Sequence, residues 1–389
     1  MTKKWSSRLT FFAFVVLMVG LGSNDSLRGI FSTIFQEHFS LTTTQLGLIV
    51  TASYIGNLVF LLVGGNLSTR FSKKRVLQVL ILIWMAALAL FAFTSNYTVL
   101  LIGMALALGS STLLNTTMNL ITSLLFATAP GFFVNFLFFT QEIGTSGSQY
   151  ILGSHADGFA FWQHTNLVLL ILGAVAFVLL LFCNVPEEAA APADAPAQKG
   201  GYDWRIVVLY VLVFGFYFIA EHGVMNWMVA YGVDGLGLPQ ASAAKYLSVF
   251  FGGMMIGRLC LSPLVDKLGA LKSLMAFGGV SCVLYLIGSL GGAVTMPVWA
   301  ISGLSFSILY PTLVMSIRLY FPAQQVSGAA GTILSIASLA DILFNVGFGK
   351  LVDMTGYAVS IRVLPLSALA FFIVFMLFTK FCKPTQKLK

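Results

Sequence analysis

The chain has 389 residues, 58% of them hydrophobic and 9% charged, and a mean hydropathy of +0.93, whereas soluble domains carry roughly a quarter charged residues. A soluble globular protein is therefore excluded. A membrane-spanning helix takes about 20 apolar residues, so this length holds on the order of a dozen spans and leaves no room for a separate catalytic domain. The excess of 21 Lys and Arg over 13 Asp and Glu, which in a soluble protein would suggest nucleic acid, is read here as topology.

Apolar runs bounded by turn and charge breaks predict twelve helices, at 9–37, 43–67, 74–94, 97–126, 131–155, 163–184, 204–233, 241–265, 271–290, 293–320, 325–351 and 358–382. The first run follows Lys3, Lys4 and Arg8 but has no small-residue cleavage site, so it is expected to be a retained span and not a signal peptide. Both termini then fall on one side. With that side cytoplasmic, 16 of the 21 basic residues lie there, clustered at positions such as Arg70 to Arg75, Lys267, Lys272 and the C-terminal lysines. Only Lys245, Lys350 and Arg362 lie on the other side, which follows the positive-inside rule.

The one long polar stretch, Glu187 to Tyr202 (EEAAAPADAPAQKGGY), is Ala- and Pro-rich and has six predicted spans on either side. It reads as a cytoplasmic linker. The expected organisation is a six-helix bundle over 1–185, a linker over 186–203 and a second bundle over 204–389. The four cysteines, Cys183, Cys260, Cys282 and Cys382, show neither metal-ligand spacing nor a disulfide framework and are expected to be packing residues.

One half slides over the other without gaps. Leu41 falls on Leu238, Gly56 on Gly253 and Thr69 on Asp266, each 197 residues further on. Halves repeated in this way put their interface, and any substrate site, near the bilayer midplane. The loop after the second span reads Gly65 to Lys74 (GNLSTRFSKK), and its mate after the eighth reads Pro263 to Lys272 (PLVDKLGALK). Both resemble the loop signature of the major facilitator superfamily, G-x-L-[AS]-D-[RK]-x-G-[RK]-[RK]. The resemblance implies an all-α membrane protein, twelve transmembrane helices in two pseudo-symmetric six-helix bundles, with Gly65, Arg70, Asp266, Lys267 and Gly269 in its gating loops. The first copy departs from the signature, with Thr69 where the family has Asp and Ser72 where it has Gly.

A narrower resemblance lies in the tenth span, Ser305 to Leu313 (SFSILYPTL), which is similar to the F-x-S-I-x-[FY]-P-T signature of fucose:proton symporter-type sugar transporters. Asn24 and Asp25 in span 1, ahead of Phe39 to Thr42 (FSLT), and Asn135 and Gln141 before Gly144 in span 5, are more loosely similar to the same family. The symporters' span-1 acid falls on Gly29 and their span-4 acid near Thr112, so their proton-carrying residues do not transfer to this chain.

An ionisable group inside a span costs roughly 2.5 to 3.5 kcal/mol on insertion scales, so it is a functional candidate by default. Asp25, Glu142, Glu221 and Asp341 fall near the centres of spans 1, 5, 7 and 11. A carboxyl there can take a proton on one side and release it on the other, as proton coupling requires. Glu221 leads because it sits in the polar run Glu221 to Trp227 (EHGVMNW), where Gly223 is expected to loosen the helix and expose backbone. His222 and Asn226 share a face four residues apart; Glu221 is rotated about 100° from His222. Asp25 and Arg28 are three apart, so they either form a local ion pair that holds Asp25 ionised or leave Arg28 free to clamp an anionic substrate.

Asn115 and Asn119 in span 4, four apart, suit sugar hydroxyls or plain interhelical bonding. Gln141, Asn24 and Asn345 are further amides for a substrate site, and Trp227 and Tyr310 could supply a stacking face. Arg258 reads as snorkelling or structurally paired. No phosphate-binding loop, metal-ligand spacing or nucleophile elbow is present in the sequence, so no cofactor, metal or enzymatic activity is expected; nor is nucleic-acid binding. The expected function is proton-coupled carriage of a sugar or related polyol by rocking of two halves in the inner membrane, by a protein able to work as a monomer. Carriage of a small organic anion, drug or metabolite efflux, and a transport-dead receptor are the alternatives.

Overall fold

The computed structural model describes residues 3–126, 130–183, 185, 202–322 and 325–384. The side chains of 3–6, 63–70, 123, 130–132, 135, 266, 327 and 341 fall outside that description. The predicted linker 186–203 lies almost wholly outside the described residues. The chain forms two compact units, one of Met1–Leu41 and Leu48–Gln198, the other of Thr42–Gly47 and Lys199–Lys389.

The first unit contains α1 (Lys3–Ile30), α2 (Ser32–Phe39), α3 (Thr43–Arg70, whose first turn belongs to the second unit), α4 (Lys73–Phe93), α5 (Tyr97–Leu125), α6 (Pro130–Ile151) and α7 (Phe159–Leu181). The second contains α8 (Trp204–Ala230), which runs into a π turn at Tyr231–Gly235, then α9 (Gln240–Leu268), α10 (Ala270–Leu290), α11 (Met296–Ile301), α12 (Gly303–Phe306), α13 (Leu309–Ser316), α14 (Val326–Thr355), α15 (Tyr357–Ser360) and α16 (Val363–Phe381). Eleven segments among the described residues are long and apolar enough to cross a membrane; α6 occupies the position of the remaining predicted span.

The 197-residue repeat reappears in the element boundaries. Carried forward by that offset, Lys73–Phe93 becomes Ala270–Leu290, the bounds of α10, and Thr43–Arg70 lands on α9 to within a residue. The packing repeats too. A methyl group on Gly56 would be driven into the Ala105 backbone of α5, and one on Gly253 would press on the backbone of Gly303 and Leu304. In each unit a glycine thus lets two helices cross backbone to backbone.

The departure at Ser72 also has a structural account. Ser72 is the N-cap of α4 and accepts from the Arg75 amide at 3.4 Å, as capping serines do. Its counterpart Gly269 joins α9 to α10 at φ +81°, a conformation that favours glycine. Two residues after Ser72, Lys74 Nζ donates to the carbonyls of Leu181 and Cys183 at 3.0 and 2.8 Å, satisfying the C-terminus of α7 with a cation. Within the second unit, the Asp353 carboxylate accepts from the amides of Thr43 and Thr44 at 2.8 and 2.7 Å and so caps the start of α3.

Three expectations are corrected. The first predicted span is interrupted at Phe31, where the backbone turns to φ −95°, ψ 9°. The tenth is not one helix over 293–320 but the broken run α11 to α13. Pro311 has no amide to offer the Ser307 carbonyl, and the hydroxyls of Ser302, Ser305, Ser307 and Ser316 bond to carbonyls three residues back. Cys260 is exposed, not packed, while Cys183 and Cys282 are buried and Cys382 is half-buried.

Candidate functional site

In the first unit the site is built on a close crossing of α1 and α6. Methyl groups on Gly22 or Gly144 would be driven into the backbone carbonyls of Gln141 and Val19 respectively. Hydroxyls lace the crossing: Ser23 Oγ donates to the carbonyls of Val19 and Gly144 at 2.8 and 3.3 Å, and Thr145 Oγ1 to that of Gly22 at 3.2 Å. The polar stretch of α1 is thereby held in a fixed rotation.

Asp25 is half-buried. Its Oδ2 accepts from Ser111 of α5 at 3.2 Å, and its Oδ1 is buried without a hydrogen-bond partner. Arg28 is 6% exposed, its guanidinium lies 5.6 Å from the centre of the Tyr54 ring, and its Nε is buried without a hydrogen-bond partner. Among the described residues no hydrogen bond joins the pair; Arg28 stays within electrostatic reach of Asp25 and makes a cation–π contact with Tyr54.

Asn119 Nδ2 donates to Asn115 Oδ1 at 2.7 Å, and Asn115 Nδ2 donates to Gln141 Oε1 at 2.7 Å. These three amides form a ladder from α5 to α6, joined end to end. Asn24 is turned the other way: its Oδ1 accepts from Trp84 Nε1 of α4 at 3.2 Å, which commits that oxygen to packing. Glu142 is half-buried and has a partner within the protein. Gln149, not singled out from the sequence, is fully buried with both ends of its amide unpartnered. Its type and spacing alone do not separate it from the other α6 amides.

In the second unit the centre is Glu221 of α8, 8% exposed. Its carboxyl lies within electrostatic reach of the Tyr217, Tyr285 and Tyr310 phenols, and Arg258 within reach of Tyr217 and Tyr310. Tyr285 is pinned by donation to the Ala220 carbonyl at 3.1 Å. Tyr217 stacks between Phe306 and Tyr310, with ring centres 5.0 and 6.1 Å away. His222 lies flat on Phe218 at 5.3 Å, and Phe218 meets Tyr310 at 6.2 Å. One acid therefore has phenols of α8, α10 and α13 within reach, and aromatic rings of α8, α12 and α13 pack on those phenols. Sequence reading undervalued Arg258 and missed Tyr217 and Tyr285, although Tyr217 precedes Glu221 by the four residues that bring side chains together on a helix.

Gly223 does not loosen α8, which is continuous to Ala230. The missing side chain instead makes room for Leu364, into which a methyl would be driven. Trp227 is fully buried; its Nε1 donates to Asn345 Oδ1 of α14 at 2.8 Å and its ring lies 4.8 Å from Phe348. These two residues are brought together as packing, not as an open stacking face. Asn226 is 2% exposed and Tyr310 half-buried. Lys267 is in the last, exposed turn of α9. The side chains of Asp341, Arg70 and Asp266, like Gly65, lie outside the description.

Residues 10–340 match the family described as the Major Facilitator Superfamily. The chain is 24% identical over 331 residues to the L-fucose-proton symporter of Escherichia coli (strain K12), across 74% of this chain and 75% of that one. It is 27% identical over 343 residues to the glucose/galactose transporter of Brucella abortus biovar 1 (strain 9-941), across 82% and 81%. The crystal structure of a D-xylose-proton symporter matches the fold with a TM-score of 0.79 at 14% identity, covering 99% of each chain. Fold and relatives are those of membrane transporters, not of enzymes. With a matched region that takes in both structural units and a helical fold shared from end to end, this chain belongs to the Major Facilitator Superfamily.

Proposed function

We propose that the protein carries a sugar or sugar derivative across the cytoplasmic membrane by proton symport, through rocker-switch alternating access of the bundles 1–185 and 204–389, with both termini and the linker 186–203 cytoplasmic, and that it works as a monomer. The observation that carries this reading is Glu221, an acid almost wholly withdrawn from solvent inside a spanning helix and within electrostatic reach of the Tyr217, Tyr285 and Tyr310 phenols. A carboxyl in that setting is costly to keep unless it serves a purpose. Phenols and ring faces beside it match a sugar, which presents hydroxyls on its rim and C–H bonds on its faces. The amide ladder Asn119–Asn115–Gln141 offers more paired donors and acceptors, and the printed names of the relatives, a fucose-proton symporter and a glucose/galactose transporter, support the same class.

The test is proton uptake into weakly buffered vesicles carrying the protein, with sugars, polyols and sugar acids added one at a time. External alkalinisation with a neutral sugar that disappears in Glu221→Gln is the expected result; movement with no neutral sugar refutes the sugar reading. A second reading, carriage of a small organic anion, is favoured by Arg28, whose Nε is buried without a hydrogen-bond partner. It predicts proton movement with a carboxylate substrate that depends on Arg28.

A further inference from the structure

On the first unit a groove of about 630 Å³ runs between α3, α4 and α5, walled among the described residues by apolar side chains and one charged residue, Arg75. Its α4 wall is Arg75, Val76, Val79, Leu80 and Ile83, one stripe of a helix. From Arg75 to Ile83 that stripe climbs about 12 Å at 1.5 Å per residue, close to the ~15 Å of one leaflet in a hydrocarbon core about 30 Å thick. Val59, Phe71 and Val79 along it are each about half exposed, at 49%, 52% and 55%. Polar groups are confined to the end where α4 begins.

The cations at that end are not equivalent. Lys74 is consumed by the carbonyls at the end of α7. Arg75 is exposed and its side chain makes no hydrogen bond or ion pair among the described residues. A free guanidinium at the mouth of an apolar slot one leaflet deep suits a molecule with a phosphate head and a hydrocarbon tail. Free phosphate would leave the walls unused. A zwitterionic head would bring its own cation into the cluster of Lys73, Lys74 and Arg75. We propose that this groove binds one acyl chain of an anionic phospholipid, whose phosphate is held by Arg75.

The test is native mass spectrometry of the full-length protein released from detergent in the presence of equal amounts of dipalmitoyl phosphatidylglycerol and phosphatidylcholine. One phosphatidylglycerol should be retained in preference to phosphatidylcholine. Arg75→Ala should lower its bound fraction about five-fold, the equivalent of the ~1 kcal/mol carried by one basic residue at a membrane surface, with phosphatidylcholine unchanged. Val79→Trp, which fills the slot from an exposed position, should remove the bound lipid. Inorganic phosphate at millimolar concentration should not displace it. Equal retention of the two lipids, an unchanged bound fraction in Arg75→Ala or Val79→Trp, or displacement by inorganic phosphate would each overturn the proposal.

Discussion

The crossing of α1 and α6 makes the sharpest structural demand on the candidate site, and a matched pair of glycine substitutions measures it. Gly22→Ala would put a methyl carbon inside the radius of the Gln141 carbonyl oxygen and close to Thr145. The nearest atoms, the Gln141 carbonyl carbon and oxygen, are backbone, so the helices themselves must part. Forced overpacking of this kind costs about 1–3 kcal/mol. Gly147, three residues from Gly144 on the same helix, has nothing within 4 Å of the position a methyl would take. There Gly→Ala yields only the gain in helix propensity, up to about 1 kcal/mol. Gly22 is helical too, so that gain is common to both and the variants should differ by about 1–3 kcal/mol. At about 2–4 °C per kcal/mol for a unit of this size, their thermal midpoints should separate by on the order of 2–12 °C, with Gly22→Ala the lower. The assay is thermal unfolding of purified protein followed by thiol-reactive fluorescence, with sugar-driven proton uptake measured on the same preparations. Because Gln141 receives the Asn115 amide, Gly22→Ala should also weaken transport while Gly147→Ala leaves it intact. Coincident midpoints for the two variants would refute the claim that backbone contact at Gly22 holds the site.

Glu221→Gln keeps the shape of the side chain but removes its proton exchange, so counterflow of an unlabelled for a labelled sugar should persist while uphill accumulation driven by a pH gradient falls to background; loss of both would argue for a folding role. Asn115→Ala removes the central rung of the amide ladder. It should raise the sugar KM several-fold with little change in the thermal midpoint, and an unaltered KM would reduce the ladder to interhelical bonding. Trp227→Phe withdraws the indole bond to Asn345; interhelical bonds of this kind in membranes average about 0.6 kcal/mol, so a drop of a few degrees with normal KM is expected. Asp353→Asn weakens the cap on α3 and should cost about 1 kcal/mol, read as a lowered midpoint.

The scaffold was legible in the sequence because burial in lipid constrains long stretches at once. Runs of apolar residues marked the spans, and the offset that pairs Gly56 with Gly253 also pairs the ends of α4 and α10. What stayed illegible depends on helix rotation and on which neighbour a polar side chain faces. Asn24 and Asp25 are adjacent in the chain, yet one is turned to Trp84 of α4 and the other to Ser111 of α5. The break in the tenth span was written in Pro311 and the serines around it, but apolar content alone made it look continuous. Gly223 illustrates the ambiguity of glycine, since flexibility and tolerance of close packing leave the same mark on a sequence; here the Leu364 contact decides for packing. Arg258 was set aside because cations near span ends commonly snorkel. Only the folded chain brings it within reach of Tyr217 and Tyr310.

The repeat itself separates scaffold from chemistry. Carried back along the same register, Glu221 falls on Asn24, His222 on Asp25 and Met225 on Arg28. The crossing glycines Gly56 and Gly253 share one register position, whereas Gly22 and Gly144 fall on Ile219 and Asp341 and Glu221 falls on an amide. A helix turns about 100° per residue, so an acid displaced by one position in the register faces a different neighbour: Asp25 meets Ser111 in one unit, Glu221 meets phenols in the other. A carrier that must hold an asymmetric solute and move a proton benefits from two frames of the same geometry with unlike contents. On the proposed function, the half with Arg28 and the amide ladder would orient polar groups of the solute, and the half with Glu221 would exchange a proton beside an aromatic wall. On the same proposal, moving the acid to the other half by Asn24→Glu with Glu221→Asn should abolish proton-driven accumulation, because the acid would lose the phenols around Glu221.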